Sequence, residues 1–234
     1  HVHTNYSILD GQSKVTRLVD KAIADGMKGM AITDHGVMFG IKEFSDYCAK
    51  INKERKAKGE EPFKPIFGCE MYVARRSMHD KENDKHDNSG YHLIVLAKNY
   101  NGYKNLIKLV SHAWVDGYYY KPRTDREELE KYHEDLIVCS ACIAGEVPNK
   151  IIRGDIEGAR EACEWYHRVF GDDYYLELQR HEVKDPTLVA NREAYPLQQK
   201  ANKVLMQFAK EYGVKLVCTN DCHFEDKETA EAHD

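Results

Sequence analysis

Side chains that can bind metal ions stand at the ends of several short apolar segments of this chain. The segments are the opening HVH, KGMAIT, IFGC, DLIV and KLVCTN, and the residues within or just after them are His1, His3, Asp34, His35, Glu70, Cys139, Cys142, Asp221 and His223. Imidazole, thiolate and carboxylate groups are the ligands that divalent transition metals prefer. A single His-X-His is weak support for a metal site, but the recurrence of ligand types at the other segments predicts one.

The spacing within two of these motifs adds a geometric argument. In an extended chain, residues i and i+2 point to the same face. His1 with His3, and Asp221 with His223, could therefore each hold an ion together.

The apolar segments alternate with amphipathic stretches, which predicts repeated β-α units. The predicted strands are the opening HVH and residues 28–33, 65–74, 92–97, 135–141, 173–179 and 214–220. The sequence contains no repeat, low-complexity tract or linker, so we expect a single domain over residues 1–234. Parallel β-α units in this number favour a closed α/β barrel over an open sheet, although periodicity alone does not separate the two. In a barrel the carboxyl ends of the strands meet at one rim, where the ligand residues would converge.

Composition narrows the classes of function. The net charge is −5, so the chain does not resemble a basic clamp that holds duplex nucleic acid by electrostatics alone. A phosphate-bearing partner would have to be held by local cations or by bound metal. No apolar run approaches the roughly 20 residues that span a bilayer, and seven cysteines do not look like a disulfide framework. We therefore expect a cytoplasmic protein without a membrane partner, whose thiols are reduced or bound to metal.

Six segments resemble the PHP (polymerase and histidinol phosphatase) domain family: HVHTNYS, AITDHG, GCEMYV, HLIVLAKN, CSACIAGEV and TNDCHF. The stretches GYYYKPR, AGEVP, YYLELQRH and the terminal AEAHD are similar to the form of this domain at the N-terminus of bacterial replicative DNA polymerases. The resemblance covers essentially the whole chain. It implies the PHP fold, a distorted TIM-like (β/α)7 barrel, as one domain at the start of a longer polymerase chain.

The resemblance also implies a trinuclear divalent metal site, with zinc, manganese or iron as the candidate ions. The nine implied ligands are His1, His3, Asp10, His35, Glu70, His92, Cys142, Asp221 and His223. The first ion would be held by His1, His3, Glu70 and Asp221, the second by Glu70, His92 and Cys142, and the third by Asp10, His35 and His223. Glu70 would bridge two of the ions.

For several of these residues, the sequence alone also supports an interpretation other than metal ligand. Asp10 stands before a glycine and is typical of a turn. His92 begins its apolar segment rather than ending it, so the rim argument does not predict it as a ligand. Cys139 and Cys142 form a CxxC motif, but the sequence has no second CxxC to complete a structural zinc site. The resemblance assigns Cys142 to metal and Cys139 to the strand core. We expect Asp34 to orient a neighbouring group.

The activity implied by the resemblance is that of a metal-dependent phosphoesterase, a 3′–5′ exonuclease that could proofread. A hydroxide held by the metals would attack the phosphodiester at the 3′ end of a DNA primer, with Glu70, Asp221 and His223 as the catalytic residues. Lys121 and Arg123 are candidates to orient phosphate oxygens, although a solvated loop cation is an equally good interpretation of each. His181 follows a predicted strand and is a candidate for substrate contact.

The implied partners are the primer 3′ end, bound weakly by this chain alone, the remainder of the polymerase chain and other replisome subunits. Two alternatives remain open. The chain could be a stand-alone phosphatase of the same family acting on a small monoester such as histidinol phosphate, which the polymerase-like stretches disfavour. It could also be a non-catalytic domain that metals only stabilise, which the full ligand set disfavours.

Overall fold

In the computed structural model, residues 1–82, 84–185, 187–188 and 190–226 are described, and the terminal AEAHD lies outside them. Within these residues the strands are β1 (Gly29–Ile32), β2 (Lys64–Ala74), β3 (Gly90–Ala97), β4 (Arg123–Thr124), β5 (Leu136–Cys139), β6 (Tyr174–Gln179) and β7 (Lys215–Thr219). The helices there are α1 (Val15–Ala24), α2 (Ile41–Ala57), α3 (Asp84–Asp87), α4 (Tyr100–Val115), α5 (Arg126–Lys131), α6 (Glu146–Arg153), α7 (Ile156–Phe170) and α8 (Tyr195–Tyr212). No helix in this part of the chain combines the length and apolarity needed to cross a membrane.

The strands form a curled, half-barrel α/β sheet in the order β1-β2-β3-β5-β6-β7, with the short β4 beside β2. β3 runs antiparallel to β2 and to β5, whereas the other pairs are parallel. The prediction of parallel β-α units is therefore wrong at β3. In the described part of the connection from β2 to β3 the only helix is the four-residue α3, whereas a parallel crossover usually contains a full helix. The chain returns antiparallel from β2 instead.

The opening His-Val-His is not a regular strand, yet its backbone is held on both sides. The Thr33 amide donates to the Val2 carbonyl at 2.9 Å, on the side of β1. The His3 amide donates to the Cys222 carbonyl at 2.8 Å, on the side of β7. The first residues thus lie between the two end strands of the sheet, and both of their histidines are fixed by backbone hydrogen bonds.

The main apolar core lies between the sheet and the helices α4, α6, α7 and α8. Helix α4 starts at Asn99, whose side chain accepts hydrogen bonds from the amides of Asn101 and Gly102, a strong N-cap. Its residues Leu106 and Leu109 are fully buried against the strands. Since α4 follows β3, it runs back towards the end of the sheet at which β3 begins.

Arg123, predicted as a phosphate-orienting cation, is instead fully buried. Its guanidinium donates to the carbonyl oxygens of Gly117, Asp87, Met78 and Asp80 at 2.7–3.1 Å. Burial lowers its pKa, and the nearby carboxylates of Asp87 and Asp80 oppose that shift. The side chain therefore ties the loops around β4 together, which is at odds with the predicted role in substrate binding.

We expect Arg123→Ala to destabilise the fold by about 3 kcal/mol, because it leaves buried carbonyl oxygens without donors. Urea denaturation followed by circular dichroism would measure the loss. Arg168→Ala is the matched control, since Arg168 is exposed and only pairs with Glu130 at the surface. Equal stabilities of the two variants would contradict the anchoring role.

Candidate metal centre

The nine side chains predicted as ligands lie together at one end of the sheet. They come from the first ten residues (His1, His3, Asp10), from β2 and β3 (Glu70, His92), and from the segments after β1, β5 and β7 (His35, Cys142, Asp221, His223). They form three groups, within each of which the candidate ligand atoms lie within 4.8 Å of one another: His1, His3, Glu70 and Asp221; Glu70, His92 and Cys142; and His3, Asp10, His35 and His223.

The first group surrounds one oxygen of Glu70. Glu70 Oε2 lies 2.7 Å from His1 Nδ1 and 3.0 Å from His3 Nε2. Asp221 Oδ1 approaches the same two rings, at 3.8 Å from His1 Nδ1 and 3.4 Å from His3 Nε2. Two imidazoles and two carboxylates thus converge on one point, a mixed N and O donor set that suits a divalent ion.

The second group uses the other oxygen of the same carboxylate. Glu70 Oε1 lies 2.5 Å from His92 Nδ1, which in turn lies 3.7 Å from Cys142 Sγ. Glu70 therefore serves two groups with its two oxygens, which is the geometry of a bridging ligand. Cys139 lies apart from the group, in the sheet interior with Ile94 and Ala141.

The third group is centred on Asp10. Its Oδ2 contacts His35 Nε2 at 2.5 Å and lies 3.0 Å from His223 Nε2. The ring of His3 stacks on both partner rings, with centroids 4.1 Å from that of His35 and 4.6 Å from that of His223. Asp10 also sits in a turn, because its amide donates to the Ser7 carbonyl. The turn directs the carboxylate towards the imidazoles.

The antiparallel course of β3 explains the position of His92. Tyr72 of β2 pairs with His92 in the antiparallel register, only two residues beyond Glu70. The start of β3 therefore lies at the same end of the sheet as the carboxyl ends of its parallel neighbours. A rim argument built on parallel strands alone could not predict this ligand.

Buried polar atoms without hydrogen-bond partners test whether these residues fit a metal. They include His1 Nε2, His3 Nε2, His35 Nδ1 and Asp221 Oδ1. Buried polar atoms are normally paired, because an unpaired one costs free energy. Of these atoms, His3 Nε2 and Asp221 Oδ1 lie 3.4 Å apart in the first group, and imidazole nitrogen and carboxylate oxygen are donors that divalent cations take up, so the residues fit such an ion.

The titration behaviour of the group follows from its burial and its mutual contacts. Burial would raise the pKa of Glu70, but the imidazoles of His1, His3 and His92 outweigh it and hold that pKa well below its usual range. Burial would lower the pKa of His3, yet the adjacent carboxylates of Asp221 and Glu70 raise it to about 9. Burial would likewise lower the pKa of His92, but its contacts with Cys142 and Glu70 raise that pKa to about 10. Without metal, His3 and His92 are therefore imidazolium ions that neighbour the Glu70 carboxylate.

Asp34 supports the first histidines from outside the groups. It accepts hydrogen bonds from the Thr4 amide at 2.7 Å and from the Ser7 hydroxyl at 2.8 Å. The Ser7 oxygen lies 3.0 Å from His3 Nδ1, and this contact turns His3 Nε2 towards Glu70. Asp34 thus orients a ligand through an intermediate hydroxyl.

Glu177, in the middle of β6, is a site residue that sequence analysis missed. Its Oε2 accepts the Ala141 amide at 2.6 Å and lies 3.5 Å from His1 Nε2. Ala141 has a positive φ of 65°, which is strained for a residue with a side chain. The carboxylate therefore holds the turn that presents Cys142. An acidic residue inside the apolar YYLELQ strand was the available signal.

The remaining predicted substrate residues lie beside the groups. Lys121 is exposed, with its Nζ 5.4 Å from the ring centroid of Tyr72, which packs against His35 and His92. His181 Nδ1 receives a hydrogen bond from Gln198 Nε2 at 2.9 Å, which assigns the ring proton to Nε2. That Nε2 is buried and has no hydrogen-bond partner.

Comparison with known proteins agrees with the geometry. The chain is 43% identical over 234 residues to the DNA polymerase III subunit alpha of Borreliella burgdorferi and 41% identical over 235 residues to that of Treponema pallidum. Each match covers 100% of this chain but only 18% of the relative, so the chain spans about a fifth of these curated relatives.

A solved amidohydrolase from Chromobacterium violaceum is similar at 12% identity with a TM-score of 0.43, over 95% of this chain and 86% of that one. A likeness this weak carries no argument about function. The model of the PHP domain family, by contrast, matches residues 1–181. Because this match extends over well more than half of the residues, the chain belongs to the PHP domain family.

Proposed function

We propose that this PHP domain is a metal-dependent phosphoesterase that removes nucleotides from the 3′ end of DNA, a proofreading 3′–5′ exonuclease. The observation that carries the proposal is the convergence of nine ligand side chains into three groups, two of which share Glu70. Bound divalent ions would lower the pKa of a water molecule and neutralise the charge of the phosphodiester. Glu70, Asp221 and His223 would hold those ions at the reacting phosphate.

The donor types restrict the ions that the three groups would hold. Thiolate and imidazole at Cys142 and His92 favour zinc or iron, whereas imidazole and carboxylate around Asp10 also suit manganese. The sharing of Glu70 would fix the spacing of the first two ions, and His3 stacks against the third group.

His181 and Lys121 are the proposed substrate contacts. Burial lowers the pKa of His181, and the charges of His1 and His223 act in the same direction, while Asp221 opposes them. The imidazole is therefore neutral near pH 7 and carries its proton on the unpartnered Nε2. It can donate a hydrogen bond from Nε2 to a phosphate oxygen, where negative charge develops in the transition state. Lys121 offers an exposed cation to the substrate.

We further propose that the domain, residues 1–234, is one part of a longer polymerase chain, with DNA and other replisome subunits as its partners. The two matched DNA polymerase III alpha subunits support the proposal, because this chain covers only 18% of the length of each. We also propose that the curled sheet is a distorted, closed (β/α)7 barrel. The hydrogen bonds of Val2 and His3 to the segments beside β1 and β7 support closure.

Metal content should depend more on the bridging carboxylate of Glu70 than on the carboxylate of Asp10, which belongs to one group. We expect about three ions in the wild type by mass spectrometry of dialysed protein, about one in Glu70→Gln and about two in Asp10→Ala, because Glu70 belongs to two of the groups. Asp46→Ala is the control, since Asp46 is an exposed residue of α2 and should leave the content unchanged. Equal losses from the Glu70 and Asp10 variants would contradict bridging.

Metal binding should release protons. His3 and His92, with pKa values of about 9 and 10, are protonated near neutral pH without metal, and only the neutral ring binds an ion. Calorimetry in buffers of different ionisation enthalpy at about pH 7.5 should detect about two or more protons per protein. The apparent affinity should rise with pH up to about 10.

The stability of the metal-free protein, unlike its affinity for metal, should fall as the pH rises. A raised histidine pKa contributes stability that is complete below about pH 6.5 and is lost as the pH rises through 9 to 10. Thermal melts between about pH 6 and 10 would measure it. Metal uptake without proton release, or a metal-free protein that gains stability across this range, would contradict the assigned titrations.

The activity is tested by incubating the metal-loaded protein with 3′-labelled single-stranded DNA and, separately, with small phosphomonoesters. We expect release of single nucleotides with at least one of Zn²⁺, Mn²⁺ and Fe²⁺. Hydrolysis of the monoesters alone would make the protein a small-molecule phosphatase. No hydrolysis at full metal occupancy would make the metals structural.

A positioning test accompanies the assay. His181→Gln should lower kcat by about 100-fold with a smaller change in KM, because the donated hydrogen bond acts mainly in the transition state. His133→Gln is the matched control, since His133 is exposed and precedes β5 at the opposite end of the sheet. Metal content should be unchanged in both variants, which separates substrate contact from metal binding.

A further inference from the structure

Three aromatic side chains are exposed on the loop that follows α4 and on the end of that helix. Trp114 is 43% exposed, Tyr118 47% and Tyr120 62%. We call these residues the aromatic rim. Their rings contribute little to the apolar core, so their burial does not explain why large aromatic residues stand here.

The aromatic rim is fixed to the metal centre by direct contacts. The indole N–H of Trp114 donates to the Gly36 carbonyl at 2.7 Å, and Gly36 follows the ligand His35. Gly36 has a positive φ of 62°, and a Cβ there would lie only 2.7 Å from Pro122 Cγ. The segment after β1 that contains Gly36 and the segment before β4 that contains Pro122 are therefore packed too closely for a side chain at Gly36. This contact holds the aromatic rim at a set distance from the proposed ligands.

A second set of contacts continues from the rim to the ligands. The Lys121 ammonium lies 5.4 Å from the centroid of the Tyr72 ring. That ring lies 6.0 Å from the ring of His35 and 5.3 Å from that of His92. An exposed cation thus stands between the aromatic rim and the metal centre, where a phosphate next to the reacting one would need a counter-charge.

The geometry of the aromatic rim suits flat ligands. The rings of Trp114 and Tyr118 stack at 5.4 Å with an interplanar angle of 21°, so the pair presents parallel faces. Tyr120 has a positive φ of 59°, a conformation that is costly for a bulky residue and gains no burial here. Nucleobases stack on such faces whatever their sequence, and stacking does not require a basic protein, which accords with the net charge of −5.

We propose that the aromatic rim is a base-stacking subsite that receives unpaired nucleobases next to the scissile phosphate of a single-stranded DNA 3′ end. The proposal rests on the proposed function, because the scissile phosphate would lie at the metal centre. It assigns selectivity for unpaired ends to Trp114 and Tyr118. Bases in a duplex are already stacked on their neighbours and cannot offer a free face.

The test measures binding without turnover. Trp114 and Trp165 are the two tryptophans of the chain, so Trp165→Phe leaves Trp114 as the single tryptophan, whose fluorescence is excited selectively over that of the tyrosines. This variant, without metal, is titrated with a short thymidine oligonucleotide and with an abasic oligonucleotide of equal length and charge. We expect saturable quenching of Trp114 by the thymidine oligonucleotide and affinity at least about tenfold lower for the abasic one.

Further substitutions in the Trp165→Phe variant distinguish base stacking from nonspecific binding of the oligonucleotide. Tyr118→Leu should weaken binding of the thymidine oligonucleotide about tenfold, and Tyr118→Phe should restore it, because only the ring is needed. Tyr100→Leu is the control: Tyr100 is also exposed, but begins α4, about 20 Å from Trp114 along the helix axis. Near-ultraviolet circular dichroism would establish that each variant is folded.

The outcomes distinguish the two proposals. Equal affinity for the thymidine and abasic oligonucleotides, or no effect of Tyr118→Leu, would overturn the stacking subsite even if the protein hydrolyses DNA. Stacking with no hydrolysis by the metal-loaded protein would refute the exonuclease instead. If a longer chain that carries this domain shields Trp114 from acrylamide and from DNA alike, the aromatic rim is an internal packing surface and the subsite is wrong.

Discussion

The metal centre depends on one buried carboxylate, that of Glu70. Its side chain is 1% exposed, and removing an isolated carboxylate from water costs several kcal/mol. The surrounding imidazoles of His1, His3 and His92 offset that cost, which is why the pKa of Glu70 is lowered despite burial. Each segment that supplies an imidazole must therefore be held in register with β2. The position of this carboxylate constrains the first residues of the chain and β3 together.

A second layer of contacts keeps those segments in place. Asp34 holds the turn after His3 through Thr4 and Ser7, and Glu177 holds the strained Ala141 that precedes Cys142. Both carboxylates are buried and both act on backbone amides or hydroxyls. The fold thus uses acidic groups twice, inside the ligand groups and behind them. The outer set fixes the directions of the inner one, as supporting shells around metal sites commonly do.

Near the candidate metal centre, neighbouring residues of one sequence stretch differ in exposure. An exposed cation and exposed aromatic rings stand next to the metal-ligand groups, whereas Arg123, the neighbouring cation of the same GYYYKPR stretch, is used entirely by backbone carbonyls. Adjacent residues of one motif therefore serve opposite purposes. One fixes the loop, and the others face the space where a substrate would lie.

The sequence by itself determined the inventory of the site and most of the strands. Ligand-type residues at the ends of the apolar segments, the period of those segments and, for Asp10, His92 and Cys142, the resemblance to the PHP family were sufficient for that. Only the tertiary structure decided how His92 joins the site, because the direction in which β3 pairs depends on contacts distant in the chain. It likewise decided the burial of Arg123 and the role of Glu177. A local pattern records which chemical groups are present, whereas burial and partner atoms depend on segments that meet only when the sheet curls.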